Sequence, residues 1–224
     1  MRKFTKTTVS IAAAAAIIAG GAGFGLTAAN AAPAHYAAAS SSKIPAPVAS
    51  VPDVLGGNTA VALDSGFTGA LKTLGLTPGV TGSATLTDGS VHFPITAGAV
   101  TYWSPTGSYR PYVQGILAHE GSGLSLTAGS TTVTLSNFTV NPGSSKLYGD
   151  VSVNGGTPIT QAYLFSLHGG TLKPLQLQGD DAILTGTTVH VSSDAAALLN
   201  KTFSTDAVKP GLLVGVATIT AQIK

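Results

Sequence analysis

The 224-residue sequence contains no cysteine. This excludes a disulfide-stapled scaffold, a cysteine nucleophile and the modified cysteine of a lipoprotein. Charge is scarce as well: 9% of the residues are Asp, Glu, Lys or Arg, and glutamate occurs once, as Glu120. Long apolar runs are also missing. The longest, SIAAAAAIIAGGAGFGL at 10–26, is interrupted by glycines and too short for a secure membrane span, and no second one follows.

What stands near the start is a secretory leader. Arg2, Lys3 and Lys6 form its basic end, the run at 10–26 its apolar centre, and Ala29-Asn30-Ala31 a small-residue exit. We expect residues 1–31 to be a signal peptide, with cleavage after Ala31. Removing its three cations from the 11 Lys and Arg leaves 8 against 9 acidic residues, a formal charge of −1. A nucleic-acid partner is therefore not expected, because phosphate binding needs a basic surface. The end of the chain, GVATITAQIK, carries no LPxTG-like motif, so an extracellular or loosely wall-associated protein is expected, without a transmembrane segment in its mature part.

Residues 32–56 are rich in Ala, Ser and Pro without helical or strand periodicity, and they read as a disordered linker in which His35 and Tyr36 are solvated. From residue 57 to 224 one β-rich domain is expected. Val91, Phe93 and Ile95 alternate with polar neighbours, as do Val133 with Leu135, and Val151 with Val153; each run describes a strand with one buried face. Asp88-Gly89, Asn141-Pro142-Gly143, Asn154-Gly155-Gly156 and Gly169-Gly170 supply turn chemistry between them. The alternation changes phase between Leu135 and Phe138, which predicts a bulge.

Two segments change to helical spacing. Asp64 or Ser65 caps Phe67, Ala70, Leu71 and Leu74, with Gly75 as a stop; Ser192 or Ser193 caps Ala195, Leu198, Leu199 and Phe203. Short helices are predicted near 65–74 and 193–202. Each follows an alternating strand and precedes a Pro-Gly, a recurrence suggesting two equivalent edges of one sheet assembly. The fold class is thus mainly β, an antiparallel sandwich or open barrel with two short helices.

Catalytic patterns are absent: there is no G-x-S-x-G elbow, and HEGSG at 119–123 is not H-E-x-x-H. Asp88, Asp150, Asp180 and Asp181 are available to a glycosidase pair, yet most lie in turn-like settings, and the adjacent pair Asp180-Asp181 offers too few oxygens to hold calcium alone. The stretch TYWSPTGSYRPYV gathers Tyr102, Trp103, Tyr109 and Tyr112 around Arg110, the one arginine outside the leader. Such rings and a cation suit a surface for sugars, flat rings or an acidic group, and equally a hairpin packed on the end of a sheet. His119 beside Glu120 reads in two ways. The pair ends a strand at a wet G-S-G turn, or His119 faces a ligand crevice with the aromatic hairpin.

The run GILAHEGSGLSLTAGSTTVTLSNFTVNPGSSKLYGDVSVNG resembles the latter half of HtaA-type domains, secreted and surface haem-acquisition modules of actinobacteria. The resemblance rests on Gly115, His119, Gly121, Leu124 and Leu126, and on Leu147, Tyr148, Asp150 and Val151. It implies a haem or other hydrophobic ligand and a supporting role for His119. The family's haem-ligating tyrosine follows an S-F-x-x-Y pattern, and Ala70 stands at that place after Phe67. Weak or no specific haem binding is therefore expected, unless a tyrosine of the 102–112 loop substitutes.

The function expected from the sequence is a non-catalytic module that binds a small hydrophobic ligand or a cell-envelope component, with no cofactor or metal of its own. A haem or hydrophobic-molecule carrier is the alternative, and a secreted hydrolase the second. The candidate ligand-binding residues are His119, Tyr102, Trp103, Tyr109, Arg110 and Tyr112.

Overall fold

The computed structural model describes residues 44–224; the expected signal peptide and the expected linker through residue 43, with His35 and Tyr36, lie outside the described residues. Within them are thirteen strands and two helices: β1 (Ala49–Val51), β2 (Gly56–Leu63), α1 (Ser65–Thr73), β3 (Thr77–Gly82), β4 (Thr85–Thr87), β5 (Ser90–Pro94), β6 (Ala97–Tyr102), β7 (Val113–Ala128), β8 (Thr131–Asn141), β9 (Lys146–Val153), β10 (Ile159–His168), β11 (Gln176–Gln178), β12 (Asp181–Val191), α2 (Ser193–Phe203) and β13 (Leu213–Gln222).

All pairings are antiparallel, in the order β1-β6-β7-β8-β9-β10-β12-β13-β2-β5-β4, with β11 added to β12 and β3 to β7. The sheet curls into a half-barrel, and residues 90–102 span its seam. Their first half, β5, pairs with β2, and their second half, β6, pairs with β7. Between the halves, the Thr96 amide donates to the Ala118 carbonyl at 2.9 Å. The inner face takes the apolar member of each alternating pair: Val91, Phe93, Val133, Leu135, Val151, Leu164 and Val189 are all buried. This is the mainly β, open-barrel class that the alternation predicts.

Curling depends on aligned irregularities. Register shifts fall between His119 and Gly123 in β7, Ser136 and Thr139 in β8, and Ile159 and Ala162 in β10. Asn137 and Gln161 take positive φ, 52° and 49°, which lets Leu135 and Phe138 both face inward although they are three residues apart. One carboxylate links the irregularities: Asp150 accepts from Asn137 Nδ2 and from the Gln161 amide, each at 2.9 Å. Asn137 Oδ1 in turn accepts from the Gly121 amide at 3.0 Å. Adjacent bulges of this kind increase local twist and bend each strand the same way.

The helices start where their caps predict. Asp64 accepts from the amides of Gly66 and Phe67, and Ser192 from that of Ala195 at 3.0 Å. Ser192 also donates to the Tyr163 carbonyl at 2.7 Å, so one buried hydroxyl both caps α2 and ties it to β10. The two helical units are not equivalent edges, however. β12 and β13, which flank α2, pair with each other, whereas β3 leaves β2 and pairs with β7. The repeat reflects similar local chemistry, not similar topology.

The ordered domain also begins before residue 57. Ala49–Val51 pair with β6, the Val54 amide donates to the Gly98 carbonyl at 2.8 Å, and Val54 is buried in the core. The Pro and Ala content that reads as linker masks two valines that anchor it.

Candidate functional site

Three hollows with walls in common lie along the half-barrel. One lies under the helices, with a cavity volume of about 100 Å³, lined by Phe67, Ala70, Leu74 and Leu198 among others. It shares Leu63, Val91, Leu124, Phe165 and Val214 with a small central hollow of about 60 Å³, which contains Phe93 and His119 in its wall. The central hollow in turn shares Val140, Leu167, Thr187 and Ile219 with the largest cavity, about 490 Å³, away from the helices.

The largest cavity draws its wall from segments far apart in the chain. Val51 and Val54 come from the N-terminal segment, and Tyr102, Arg110 and Tyr112 from the aromatic loop. Leu172, Leu175 and Leu177 come from the connection after β10, with Ala182 and Leu184 from β12. Leu177 lies in the short strand β11 and Leu175 just before it, and the pairing of β11 with β12 holds the connection beside the opening. Its size is within the range of cavities that enclose small molecules, and its composition, apolar with a few polar groups, is the usual one.

The aromatic loop divides its residues between two tasks. Tyr102 and Tyr112 pack edge to face with ring centres 6.2 Å apart, and the Arg110 guanidinium lies 5.2 Å from the Tyr112 ring centre. Arg110 Nη1 donates to the carbonyls of Gly107 at 2.7 Å and Tyr109 at 2.8 Å, and Nη2 to that of Pro105 at 2.8 Å. These bonds close the loop on its own cation. Trp103 and Tyr109 pack on each other instead, 4.9 Å between ring centres, and Trp103 Nε1 donates to the Pro45 carbonyl at 2.9 Å. Neither lines the large cavity.

His119 is separate from the loop. It is buried to 1% exposure, and its Nε2 is 2.8 Å from Thr59 Oγ1 on β2. Its Nδ1 has no hydrogen-bond partner. Burial pushes its pKa down to about 4, with the Phe138 main chain opposing in part. Glu120 points outward and is exposed, its amide held by Thr96 Oγ1 at 3.0 Å. The HEGSG stretch is thus neither a wet turn nor a crevice wall shared with the aromatic loop. It is a mid-strand irregularity with the histidine inside, where Ser122 Oγ donates to the His119 carbonyl at 3.0 Å.

Of the six candidate residues, Tyr102, Arg110 and Tyr112 meet at one cavity, His119 stands at the central hollow, and Trp103 and Tyr109 brace the loop from outside. The leucines of 172–177 escaped the sequence reading. The L-x-L spacing of Leu175 and Leu177 was the available signal, obscured by Pro174 and two glycines nearby. Thr59, the histidine's partner 60 positions away, left no local signal.

The geometry defines a class: a half-barrel with one end covered by helices and an apolar cavity at the other. Solved structures with the same architecture are HtaA-type domains. The C-terminal domain of HtaA from Corynebacterium glutamicum superposes with a TM-score of 0.54 at 14% identity, over 77% of this chain and 99% of that one. The N-terminal domain of the same protein gives 0.47 at 12% identity, over 76% and 98%. The heme binding protein HtaB of that organism gives 0.46 at 12%, over 78% and 96%. The first of these superpositions gives the chain the fold of a distant HtaA-type domain. No family model matches the sequence, and no curated protein matches it.

Proposed function

We propose that the protein is a secreted, non-catalytic binding module that takes a small, largely apolar molecule into the cavity between the aromatic loop and the 172–177 leucines. The observation that carries this reading is the cavity itself. A volume of about 490 Å³ walled by aliphatic side chains leaves apolar surface without protein partners, a deficit that an apolar ligand removes. The leader sequence supports export, and the few polar groups at the cavity favour holding a molecule over transforming it.

Haem, the ligand that the HtaA resemblance implies, finds no iron-ligating side chain at the helical end of the half-barrel. On α1 the place of the ligating tyrosine is taken by Ala70, and the hollow beneath it has neither the volume for a porphyrin nor a side chain that binds iron. His119 has Nε2 engaged with Thr59 and sits at a hollow of about 60 Å³. At the large cavity the phenols are those of Tyr102, packed edge to face with Tyr112, and of Tyr112, whose hydroxyl donates to the Gly169 carbonyl at 3.5 Å; the proposed function routes no step through haem.

Titration of the purified protein with N-phenyl-1-naphthylamine, a neutral dye that fluoresces in apolar surroundings, tests the reading. We expect saturable one-to-one enhancement that Ala182→Trp, which fills the cavity from β12, abolishes without lowering the unfolding midpoint. Equal enhancement in both proteins, or none in either, rejects the cavity as the site.

A further inference from the structure

Resting on that reading, we infer that the cavity's ligand is a single-chain amphiphile with an acidic head, a long-chain carboxylic acid, held with its head at Arg110 and its tail directed toward the centre of the half-barrel. Three observations converge on this chemistry.

The first is charge. Among the described residues lining the cavity, Arg110 is the only charged side chain. Its recorded hydrogen bonds all run to main-chain carbonyls, so its positive charge is positioned but not neutralised. A fixed cation beside an apolar wall favours an anionic group over a neutral or cationic one.

The second is donor count. A guanidinium has five N–H donors. Nη1 uses both of its own on Gly107 and Tyr109, and Nη2 uses one on Pro105, leaving one on Nη2 and that on Nε. Two donors match the two oxygens of a carboxylate.

The third is shape. The cavity of about 490 Å³ at the aromatic loop adjoins the apolar hollow of about 60 Å³ at the centre, and Val140, Leu167, Thr187 and Ile219 belong to the walls of both. Apolar walls that continue from the wide cavity toward a second, smaller apolar hollow suit a flexible chain better than a rigid plate. Leu172, Leu175 and Leu177 lie along the wide part, where they would cover the first methylenes after the head.

Displacement of bound N-phenyl-1-naphthylamine by hexadecanoate, hexadecanol and hexadecyltrimethylammonium, each below its aggregation limit, tests the assignment. The wild-type protein is expected to take the acid at about one tenth the concentration needed for the alcohol, with the ammonium weakest. Shortening the acid should weaken it roughly fourfold per methylene removed. In Arg110→Gln the ratio of acid to alcohol affinity falls to near one whatever the absolute affinities, and Arg110→Lys restores part of the preference. If dye binds but acid and alcohol compete equally in the wild type, or the preference persists in Arg110→Gln, the acidic-head assignment is wrong while the cavity reading stands. If hexadecyl phosphate greatly outcompetes the acid, the carboxylate assignment fails. If no dye binds at all, both fall together.

Discussion

Protonation of His119 should cost the protein much of its acid stability, and the cost can be worked out. Its folded pKa of about 4 lies below the ordinary 6.5 because burial disfavours the cation. Between those values the unfolded chain holds a proton that the folded chain does not, so stability is full above pH 6.5, falls as pH drops, and levels off below 4. For a single site the loss relative to neutral pH is about 1.4 kcal/mol at pH 5.5 and about 2.5 kcal/mol at pH 4.5. Other groups titrate in the same range, so the comparison is with His119→Gln, which keeps a polar side chain for Thr59 and removes the titration. Urea unfolding at pH 7.5, 5.5 and 4.5 should show the variant's stability falling by about 2.5 kcal/mol less than the wild type's across that interval. Parallel pH dependences in the two proteins would refute the assignment of a buried, neutral His119.

Other sites give equally direct outcomes. Asp150→Ala removes the acceptor shared by Asn137 and the Gln161 amide and should cost about 2–3 kcal/mol in urea unfolding; Asp150→Asn recovers part, since its amide oxygen still serves one donor. Gly149→Ala places a methyl 2.8 Å from both Leu164 Cδ1 and Phe138 Cδ1, an overpacking expected to destabilise by about 1–3 kcal/mol in the same measurement. Ser192→Ala removes the cap of α2 and leaves the part-buried Tyr163 carbonyl without this donor, lowering stability by about 1–3 kcal/mol. Hemin added to the purified protein should give no specific Soret shift, and a tight complex abolished by His119→Ala or Tyr109→Phe would contradict the account of haem.

Local features of the fold were legible because each is set by a few adjacent residues. Asp88-Gly89 adopts φ of 51° and 75° and turns β4 into β5 as its chemistry requires. Asp64 and Ser192 cap the helices, and the change of phase before Phe138 marks a real bulge. Closure of the half-barrel was not legible, because nothing local says that one segment pairs with β2 and then β7. The face of His119 was ambiguous for a related reason. Leu117 and His119 point inward together, but Ile116, equally apolar, points out and is 49% exposed, so alternation gave conflicting answers across the irregular strand. The aromatic loop was found as a cluster, but its division between cavity and brace depends on Pro45, in a segment that composition alone marks as linker. The large cavity was the least visible feature. Its walls come from segments far apart in sequence, and none is unusual by itself.

The most direct test of the central claim is where an apolar ligand sits. Methyl-resolved NMR of the purified protein, with Leu and Val methyls labelled, can be recorded as N-phenyl-1-naphthylamine is added. The account predicts that the largest shifts fall on Leu172, Leu175, Leu177, Val51 and Val54. Shifts concentrated instead on Leu74, Leu198 and Leu199, beneath the helices, would contradict it and move the site to the position around Ala70.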